Sequence, residues 1–294
     1  MKTANFLTTI LALGFLGQSF LSAEPEDRGM VWKVESPTAS VYLAGSVHIL
    51  SFDDYPLPPP YESAYEASGK VVFELNMGDL FSLEKQTILQ QSSRLPQGTT
   101  LEDVLRPDTL NSLEKYLQSR EFSRSGFAGH QPWFVATTIT TMELMHLGLS
   151  PMAGVDMHFY QRAIRDGKST GALETLEYQL SLFSDLSMEE QDRFLQASLI
   201  EIDTINQELQ TMLTYWRTGQ ADQLANFLNE GLAEFPTLKD SLLDERNRNW
   251  VAEIETFLAG EETVMVVVGA GHLVGENSVV ELLEKNGHTP VRWE

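Results

Sequence analysis

The sequence predicts an α/β protein with a central mixed sheet, built from strands near both ends of the chain and flanked by helices. Three apolar runs, at 41–43, 71–75 and 264–268, have the composition and boundaries of buried strands. Between the last two runs, from about 100 to 258, apolar residues recur mainly at helical spacing, which predicts a large helical insertion. We therefore expect one domain over residues 24–294.

The remaining elements follow from local patterns. The first part of the chain predicts a strand hairpin (31–34 and 41–43), a proline-stiffened loop (51–60) and helices (61–68 and 79–91). The middle predicts helices at 132–147, 154–166, 176–185, 188–213, 219–227 and 240–258, with a short strand end at 171–174. The end predicts a helix at 276–286, closed by Gly287 as a left-handed cap, and an edge strand at 289–293.

The first 23 residues have the pattern of a secretory signal peptide. Lys2 precedes an apolar stretch at 6–16, and small residues ending at Ala23 precede the acidic Glu24. We expect cleavage after Ala23, with an uncleaved membrane anchor as the alternative. The chain has no cysteine, which excludes disulfides and thiol nucleophiles. An export signal without cysteine predicts a bacterial periplasmic or secreted protein.

The charge balance excludes several partners. The chain has 20 basic and 42 acidic residues, so its net charge is -22. Such a surface repels nucleic acid and anionic lipid headgroups, and we expect neither nucleic-acid binding nor membrane insertion after signal cleavage. The motifs of α/β-hydrolases, P-loop nucleotide enzymes and zincins are missing from the sequence.

Two similar segments at opposite ends of the chain each place a histidine after a predicted strand. One runs from Gly45 to His48 and the other from Gly269 to His272, and both have the pattern Gly-x-x-His. Ligands of open α/β sheets bind beyond the carboxyl ends of strands, where both histidines should lie. They can share one site only if their strands lie close together in the sheet. Such a site would be a metal centre or an acid–base centre.

Glu74 is the third candidate ligand, because it occurs within the apolar run at 71–75. A carboxylate at the end of a buried strand needs a cation or another partner. The alternative is an ordinary salt-bridged glutamate. Together with His48 and His272, Glu74 would complete a metal set common in hydrolases, with an open position for an activated water.

Four further residues are candidates for catalytic roles. Asp156 lies near a predicted helix start, where capping alone is the alternative explanation. Glu174 follows a possible strand end and is a candidate second ligand, general base or structural acid. Arg246 and Asn247 lie on an amphipathic helix, where Arg246 would hold a carboxylate or an oxyanion. A solvated charged face is the alternative for this pair.

Taken together, the motifs resemble those of the TraB/GumN family, which is related to the Tiki metalloproteases. The resemblance covers nearly the whole mature chain and rests, in order, on residues 31–34, 41–48, 73–75, 131–133, 154–156, 173–175 with Gln179, 245–247 with Trp250, and 269–272. Two positions depart from the family pattern. Asn76 stands where members often have an aspartate, which would alter metal binding, and Gln131 replaces a basic residue.

The resemblance implies the fold of the erythromycin-esterase and ChaN-like group and a metal-dependent hydrolase activity. It assigns His48, Glu74 and His272 to the metal and makes Arg246 and Asn247 supporting residues. We expect a divalent ion (manganese, cobalt or zinc) and a peptidase acting on extracytoplasmic proteins or peptides. The alternatives are a haem-, metal- or peptide-binding protein without catalysis and a small-molecule esterase.

Overall fold

The computed structural model describes residues 27–294 and centres on one six-stranded mixed sheet. The strands are β1 (Val31–Glu35), β2 (Ser40–Ser46), β3 (Lys70–Phe73), β4 (Ser169–Ala172), β5 (Val264–Gly269) and β6 (Val291–Arg292). Their order across the sheet is β4-β3-β5-β2-β1-β6. Strands β4, β3, β5 and β2 are parallel, and β1 is antiparallel to both β2 and β6.

Thirteen α-helices are found within residues 27–294. The first seven are α1 (Pro59–Ala67), α2 (Leu83–Ser92), α3 (Leu101–Val104), α4 (Pro107–Ser119), α5 (Pro132–His146), α6 (Val155–Asp166) and α7 (Leu176–Ser184). The others are α8 (Met188–Glu201), α9 (Ile205–Arg217), α10 (Ala221–Leu232), α11 (Pro236–Lys239), α12 (Glu245–Leu258) and α13 (Val279–Lys285). A π-helical turn, Asp240–Asp244, joins α11 to α12, and a 3-10 turn, Ala270–Leu273, follows β5.

The central position of β5 explains its sequence. It pairs in parallel with β2 on one side and β3 on the other, and its residues from Val264 to Val268 are buried. A parallel strand covered on both faces needs apolar side chains in both directions, so it has a continuous rather than an alternating apolar run. In the register of β2 and β5, Ser46 lies opposite Gly269, so the two strands end at the same level.

The buried apolar side chains form two clusters. One surrounds the sheet and includes most of β2, β3 and β5 with the inner faces of α1, α6, α10 and α12. The other lies among the helices, where Trp133, Phe194 and Leu209 are buried. The helical part therefore packs around apolar residues of its own, next to the core that supports the sheet.

The predicted α/β class and mixed sheet are confirmed. The stretch from 100 to 258 is mostly helical, but it also contains β4, which pairs with β3 in the central sheet. The single helix predicted at 188–213 is two helices, α8 and α9. Gly287 ends α13 with a φ of 93°, and β6 is an edge strand, as predicted. The predicted signal peptide lies outside the described residues; within 27–294, no helix has the length and apolar character to cross a membrane.

Candidate active site

The four parallel strands deliver their following residues to one edge of the sheet. His48 comes two residues after β2, Glu74 directly follows β3, and Glu174 comes two residues after β4. His272 lies in the 3-10 turn that follows β5. The backbone N–H of Glu174 donates to the carbonyl oxygen of Glu74 at 3.0 Å, which extends the pairing of β3 and β4 into the site.

Asp156 holds the imidazole of His48. Asp156 Oδ2 lies 2.8 Å from His48 Nδ1, which leaves Nε2 free to face the site. Desolvation of the ring in the cleft opposes a positive charge, but the carboxylates of Asp156 and Glu74 outweigh it and raise the pKa of His48 to about 9. Asp156 lies in the first turn of α6, where the helix dipole favours its negative charge.

A glycine allows α6 to approach His48. At Gly154, an added β-carbon would lie 2.2 Å from the carbonyl oxygen of His48, so only glycine fits beside this backbone. The N–H of Val155 donates to the carbonyl oxygen of Val47 at 3.0 Å. These contacts join the start of α6 to the end of β2 and thereby place Asp156 against His48.

Asn247 and Trp250 fix the second histidine. His272 Nδ1 lies 2.6 Å from Asn247 Oδ1, so this nitrogen carries the proton and Nε2 carries the lone pair. The ring of Trp250 packs on the imidazole with 4.3 Å between centroids. Burial and the nearby guanidinium of Arg246 lower the pKa of His272 to about 3, which keeps the imidazole neutral.

Arg246 joins the acidic residues to His272. Its Nη2 donates to Glu74 Oε2 and to Glu174 Oε1, each at 2.6 Å, and its Nε donates to Glu174 at 3.1 Å. Its Nη1 donates to the carbonyl oxygen of Leu242 at 2.9 Å and lies 3.1 Å from His272 Nε2. Since all five N–H groups have partners, the guanidinium is held in one orientation.

The two glutamates differ in their electrostatic environment. Burial opposes ionisation of Glu74, but the positive charges of Arg246 and His48 lower its pKa well below the usual range. Burial dominates for Glu174 and raises its pKa, although Arg246 opposes this shift. With Asp156, the site has three carboxyl groups beside the guanidinium of Arg246 and the imidazole of His48, so its carboxyl groups exceed its cations by one.

The chemistry of the donors fits a divalent metal. His48 Nε2 and His272 Nε2 lie 3.8 Å and 3.9 Å from the same oxygen, Glu74 Oε1. Ligands about 2.1 Å from a tetrahedral ion would be about 3.4 Å apart, so both distances to Glu74 are longer than those of a bound ion. At Gly269, a β-carbon would lie 3.2 Å from His48 Nε2 and 3.3 Å from Glu74 Oε1, so glycine keeps this space open.

The metal geometry is not fully formed as the side chains stand. Among residues 27–294, no three histidine or acidic side chains are arranged closely enough to hold an ion without rearrangement. Arg246 Nη1 also uses the lone pair of His272 Nε2 that a metal would need. Metal binding would therefore require the guanidinium to release His272 and the imidazole of His48 to lose a proton.

Sequence reasoning alone did not assign roles to Gln179 and Trp250. Gln179 Nε2 donates to Glu74 Oε2 at 3.1 Å and to Glu174 Oε1 at 3.0 Å, and Trp250 Nε1 donates to Glu174 Oε2 at 3.1 Å. Trp250 is four residues after Arg246 in α12, a spacing that places both side chains on one helix face. That spacing was the available signal for Trp250.

A Ser-His-Asp relay is absent from this part of the structure. Ser46 Oγ lies 3.5 Å from His48 Nδ1, the same ring nitrogen that Asp156 holds at 2.8 Å. In a catalytic triad the serine and the aspartate use opposite nitrogens of the histidine. Ser46 therefore has no base placed to activate it.

The two departures from the family pattern have local structural roles. Asn76 is exposed; its side chain accepts from the N–H of Gly78 at 3.2 Å and donates to Asp79 at 2.9 Å. The side chain of Gln131 donates to the carbonyl oxygen of Ser92 at 3.0 Å. These contacts are local and involve none of the histidines or glutamates of the site.

A cavity of about 260 Å³ opens onto the histidines. Its polar end includes His48, Glu74, Gln179, Arg246 and His272. Its other walls are mainly apolar and are contributed by Phe183, Met212, Leu224, Leu228, Leu242 and Leu243. A polar centre next to an apolar recess is the usual form of a small-ligand or enzyme site.

The fold and these contacts define an α/β protein whose histidines, carboxylates and single guanidinium meet at the carboxyl ends of its parallel strands. The chain belongs to the TraB/PrgY/gumN family, whose model matches residues 30–292. This finding confirms the family resemblance seen in the sequence.

The curated relatives are named metalloproteases. Metalloprotease TIKI2 of Xenopus tropicalis is 22% identical, over 93% of this chain and 62% of the relative. Metalloprotease TIKI1 of Homo sapiens is 21% identical over 90% and 62%, and a Nematostella vectensis homologue is 21% identical over 88% and 65%. The chain thus spans less than two thirds of the length of these relatives. No solved structure matches the chain.

Proposed function

We propose that the protein is a metal-dependent hydrolase that cleaves peptide bonds in extracytoplasmic proteins or peptides. The observation that carries this proposal is the approach of two imidazole nitrogens, from the ends of β2 and β5, to one oxygen of Glu74. The open space at Gly269 and the excess of carboxyl groups support it, since both favour a bound cation. The names of the curated relatives support the class of reaction.

His48, His272 and Glu74 would hold the ion, which we expect to be manganese, cobalt or zinc. Asp156 and Asn247 bond the other nitrogen of each imidazole, as partners of metal-bound histidines commonly do. When bound, a divalent metal would supply a water of lowered pKa and polarise the carbonyl group of a substrate. The chain supplies the orientation of both imidazoles and the buried carboxylate.

We propose that Arg246 stabilises the negative charge that develops on the carbonyl oxygen of the substrate. Its Nη1 lies on the ring nitrogen with which His272 would ligate the ion, and this donor becomes available when His272 exchanges partners. The Nε and Nη2 donors remain bonded to Glu174 and Glu74 and keep the guanidinium in place. Hydrogen bonds prearranged at a developing negative charge stabilise the transition state.

We assign Glu174 and Asp156 to positioning rather than to proton transfer. Both oxygens of Glu174 accept hydrogen bonds, from Arg246, Gln179 and Trp250. Asp156 is bonded to His48 Nδ1 and faces away from the side where Nε2 would hold a metal. The general-base and ligand roles considered for these two residues have less support than their roles in holding Arg246 and His48.

Haem binding without catalysis has less support from the cavity. Pockets that enclose drug-sized molecules have volumes of roughly 300–1,000 Å³, and a porphyrin is a large ligand by this measure. The cavity beside the histidines has a volume of about 260 Å³, which is below this range.

A small-molecule esterase would use the same site, and substrate screening distinguishes it from a peptidase.

The first experiment is elemental analysis of the purified chain together with a His48→Ala/His272→Ala double variant. We expect about one transition metal per chain in the parent protein and its loss in the folded variant. The loaded protein is then assayed on casein and quenched peptides with manganese, cobalt or zinc. A parent protein that stays metal-free after soaking in all three ions would refute the metal site.

The proposed periplasmic or secreted location rests on the export pattern in residues 1–23 alone. Fractionation of cells that express the full chain tests it. We expect a product that begins at Glu24 outside the cytoplasm. Retention of an intact N-terminus in the cytoplasmic fraction would contradict the proposed location.

A further inference from the structure

The recess beside the histidines is built to exclude charge. Among its described lining residues, the ionisable side chains are His48, Glu74, Arg246 and His272, all of which belong to the polar site. The remaining walls are mainly hydrocarbon and aromatic, from α7, α9, α10 and the π-helical turn before α12, with the uncharged polar side chains of Ser46, Thr137 and Gln179 among them. In a chain with a net charge of -22, this lining is a local exception. A charged group placed against these apolar walls, away from the polar end, would lose its hydration without gaining a partner.

The apolar wall directly adjoins the proposed reaction centre. At Gly271, an added β-carbon would lie 3.1 Å from Leu228 Cδ1 and 3.8 Å from Leu243 Cδ2. The next residue along the chain is His272, which is a proposed ligand. A group that fills the recess therefore lies beside Gly271 and next to His272, close to the atoms that would act on the substrate carbonyl.

The size of the recess restricts its occupant. The recess has a volume of about 260 Å³. This is below the range for pockets that enclose whole drug-sized ligands, so it suits one bulky group with the rest of the molecule outside. His48, with a side chain 42% exposed, lies where the remainder of such a ligand would reach solvent.

We propose that this recess is a specificity pocket that accepts one large aliphatic or aromatic side chain of a peptide substrate, next to the bond that is cleaved. The proposal rests on the proposed peptidase function for the position of the cleaved bond. Burial of a leucine or phenylalanine side chain, relative to a charged one left in water, favours binding by roughly tenfold or more.

Binding is tested first, because it does not require hydrolysis. Ligand-observed NMR titrations compare the N-acetyl amides of phenylalanine, leucine, lysine and glutamate on the full chain. We expect the phenylalanine and leucine amides to bind at least about tenfold more tightly than the two charged amides. Equal binding of all four would overturn the proposal. Binding of octanoate that is tenfold tighter than that of either apolar amide would assign the recess to an acyl chain and would also overturn it.

Variants locate the binding to the recess. Leu243 is partly buried and lines the cavity, so Leu243→Trp fills it without removing a fully enclosed side chain. We expect this variant to lose the apolar preference, whereas Ile200→Trp, at a position 47% exposed on α8, retains it. Leu242→Trp provides a second filled recess if Leu243→Trp does not fold. Unchanged preference in a folded filling variant would refute the location.

Cleavage assays separate this proposal from the proposed function. Quenched peptides that differ at one position compare phenylalanine and leucine with lysine and glutamate, using kcat/KM as the readout. We expect the apolar residues to be preferred at least about tenfold and Leu243→Trp to remove the preference. Cleavage without such a preference leaves the peptidase intact and refutes the specificity pocket. Apolar binding without cleavage of any peptide supports the recess and refutes the peptidase.

Discussion

Replacing Gly154 with alanine tests whether close contact between α6 and β2 assembles one half of the site. The φ and ψ of Gly154 are -58° and 149°, a conformation that alanine also adopts. The effect of the substitution is therefore steric. The new methyl group would lie 2.2 Å from the carbonyl oxygen of His48, whereas ordinary contacts are 3.4–4 Å, so the two backbones must separate by more than 1 Å.

The expected loss of stability follows from the contacts that this separation disturbs. Overpacking of a close contact costs about 1–3 kcal/mol. The separation also stretches the 3.0 Å hydrogen bond from Val155 to Val47, which is worth about 1 kcal/mol. We expect the free energy of unfolding to fall by about 3 kcal/mol, equivalent to a decrease in Tm of roughly 6–12 °C. Since Asp156 moves with α6, metal affinity should fall as well.

The assay is urea denaturation, followed by tryptophan fluorescence, of Gly154→Ala beside Gly126→Ala. An added β-carbon at Gly126 meets no atom within 4 Å, so this control introduces the same chemical change without a clash. We expect the control to be within about 1 kcal/mol of the parent protein, or slightly more stable. If both variants unfold at the parental midpoint, the inferred contact between Gly154 and His48 is wrong.

Three other predictions concern charged groups. Arg246→Met should reduce the free energy of unfolding by about 3–5 kcal/mol, because it leaves the buried carboxylates of Glu74 and Glu174 without their cation. A loss of less than about 1 kcal/mol in urea denaturation would contradict this. Asp156→Asn should weaken metal binding about 10- to 100-fold in chelator competition, since it alters the partner of His48; unchanged affinity would argue against that role. Arg120 lowers the pKa of Glu143 by hydrogen bonding to its carboxylate. Glu143→Gln should therefore reduce the free energy of unfolding at pH 7 by about 1–2 kcal/mol, a modest loss because Arg120 is 39% exposed and solvent weakens the pair. This difference in the free energy of unfolding is present above about pH 4.3, the pKa of a glutamate in the unfolded chain. It should vanish as the pH falls through the lower pKa that Glu143 has in the folded protein. A constant difference in urea melts from pH 7 to pH 3 would count against this prediction.

The strands at the centre of the sheet were predictable because each is covered on both faces. Burial on both sides requires consecutive apolar residues, and the five residues from Val264 have no other obvious explanation. The glycine near the end of β2 and of β5 indicated where the chain leaves the sheet. These two features placed His48 and His272 each beyond the carboxyl end of a strand, and the parallel pairing of β2 with β5 brings the two strand ends together at one edge.

The parts of the site that come from helices were less predictable. Arg246 lies between Glu74 and Glu174 because α12 packs across the ends of the strands, and no local pattern in the sequence determines how a helix crosses a sheet. The apolar recess was also not expected. Leu228 and Leu243 occur in ordinary amphipathic patterns, and only their positions beside Gly271 distinguish them from other core leucines.

The position of β5 has a consequence for the order in which the protein folds. This strand is formed by residues 264–269, yet it pairs with β2 on one side and β3 on the other, both of which are synthesised some 200 residues earlier. Until β5 has been synthesised, β2 and β3 lack the strand that pairs with both of them. His272, which follows β5, is also missing. Such long-range pairing slows folding, because the loops must close before the contacts form. A nascent chain therefore cannot assemble the centre that we propose to be hydrolytic until the residues through His272 have been made.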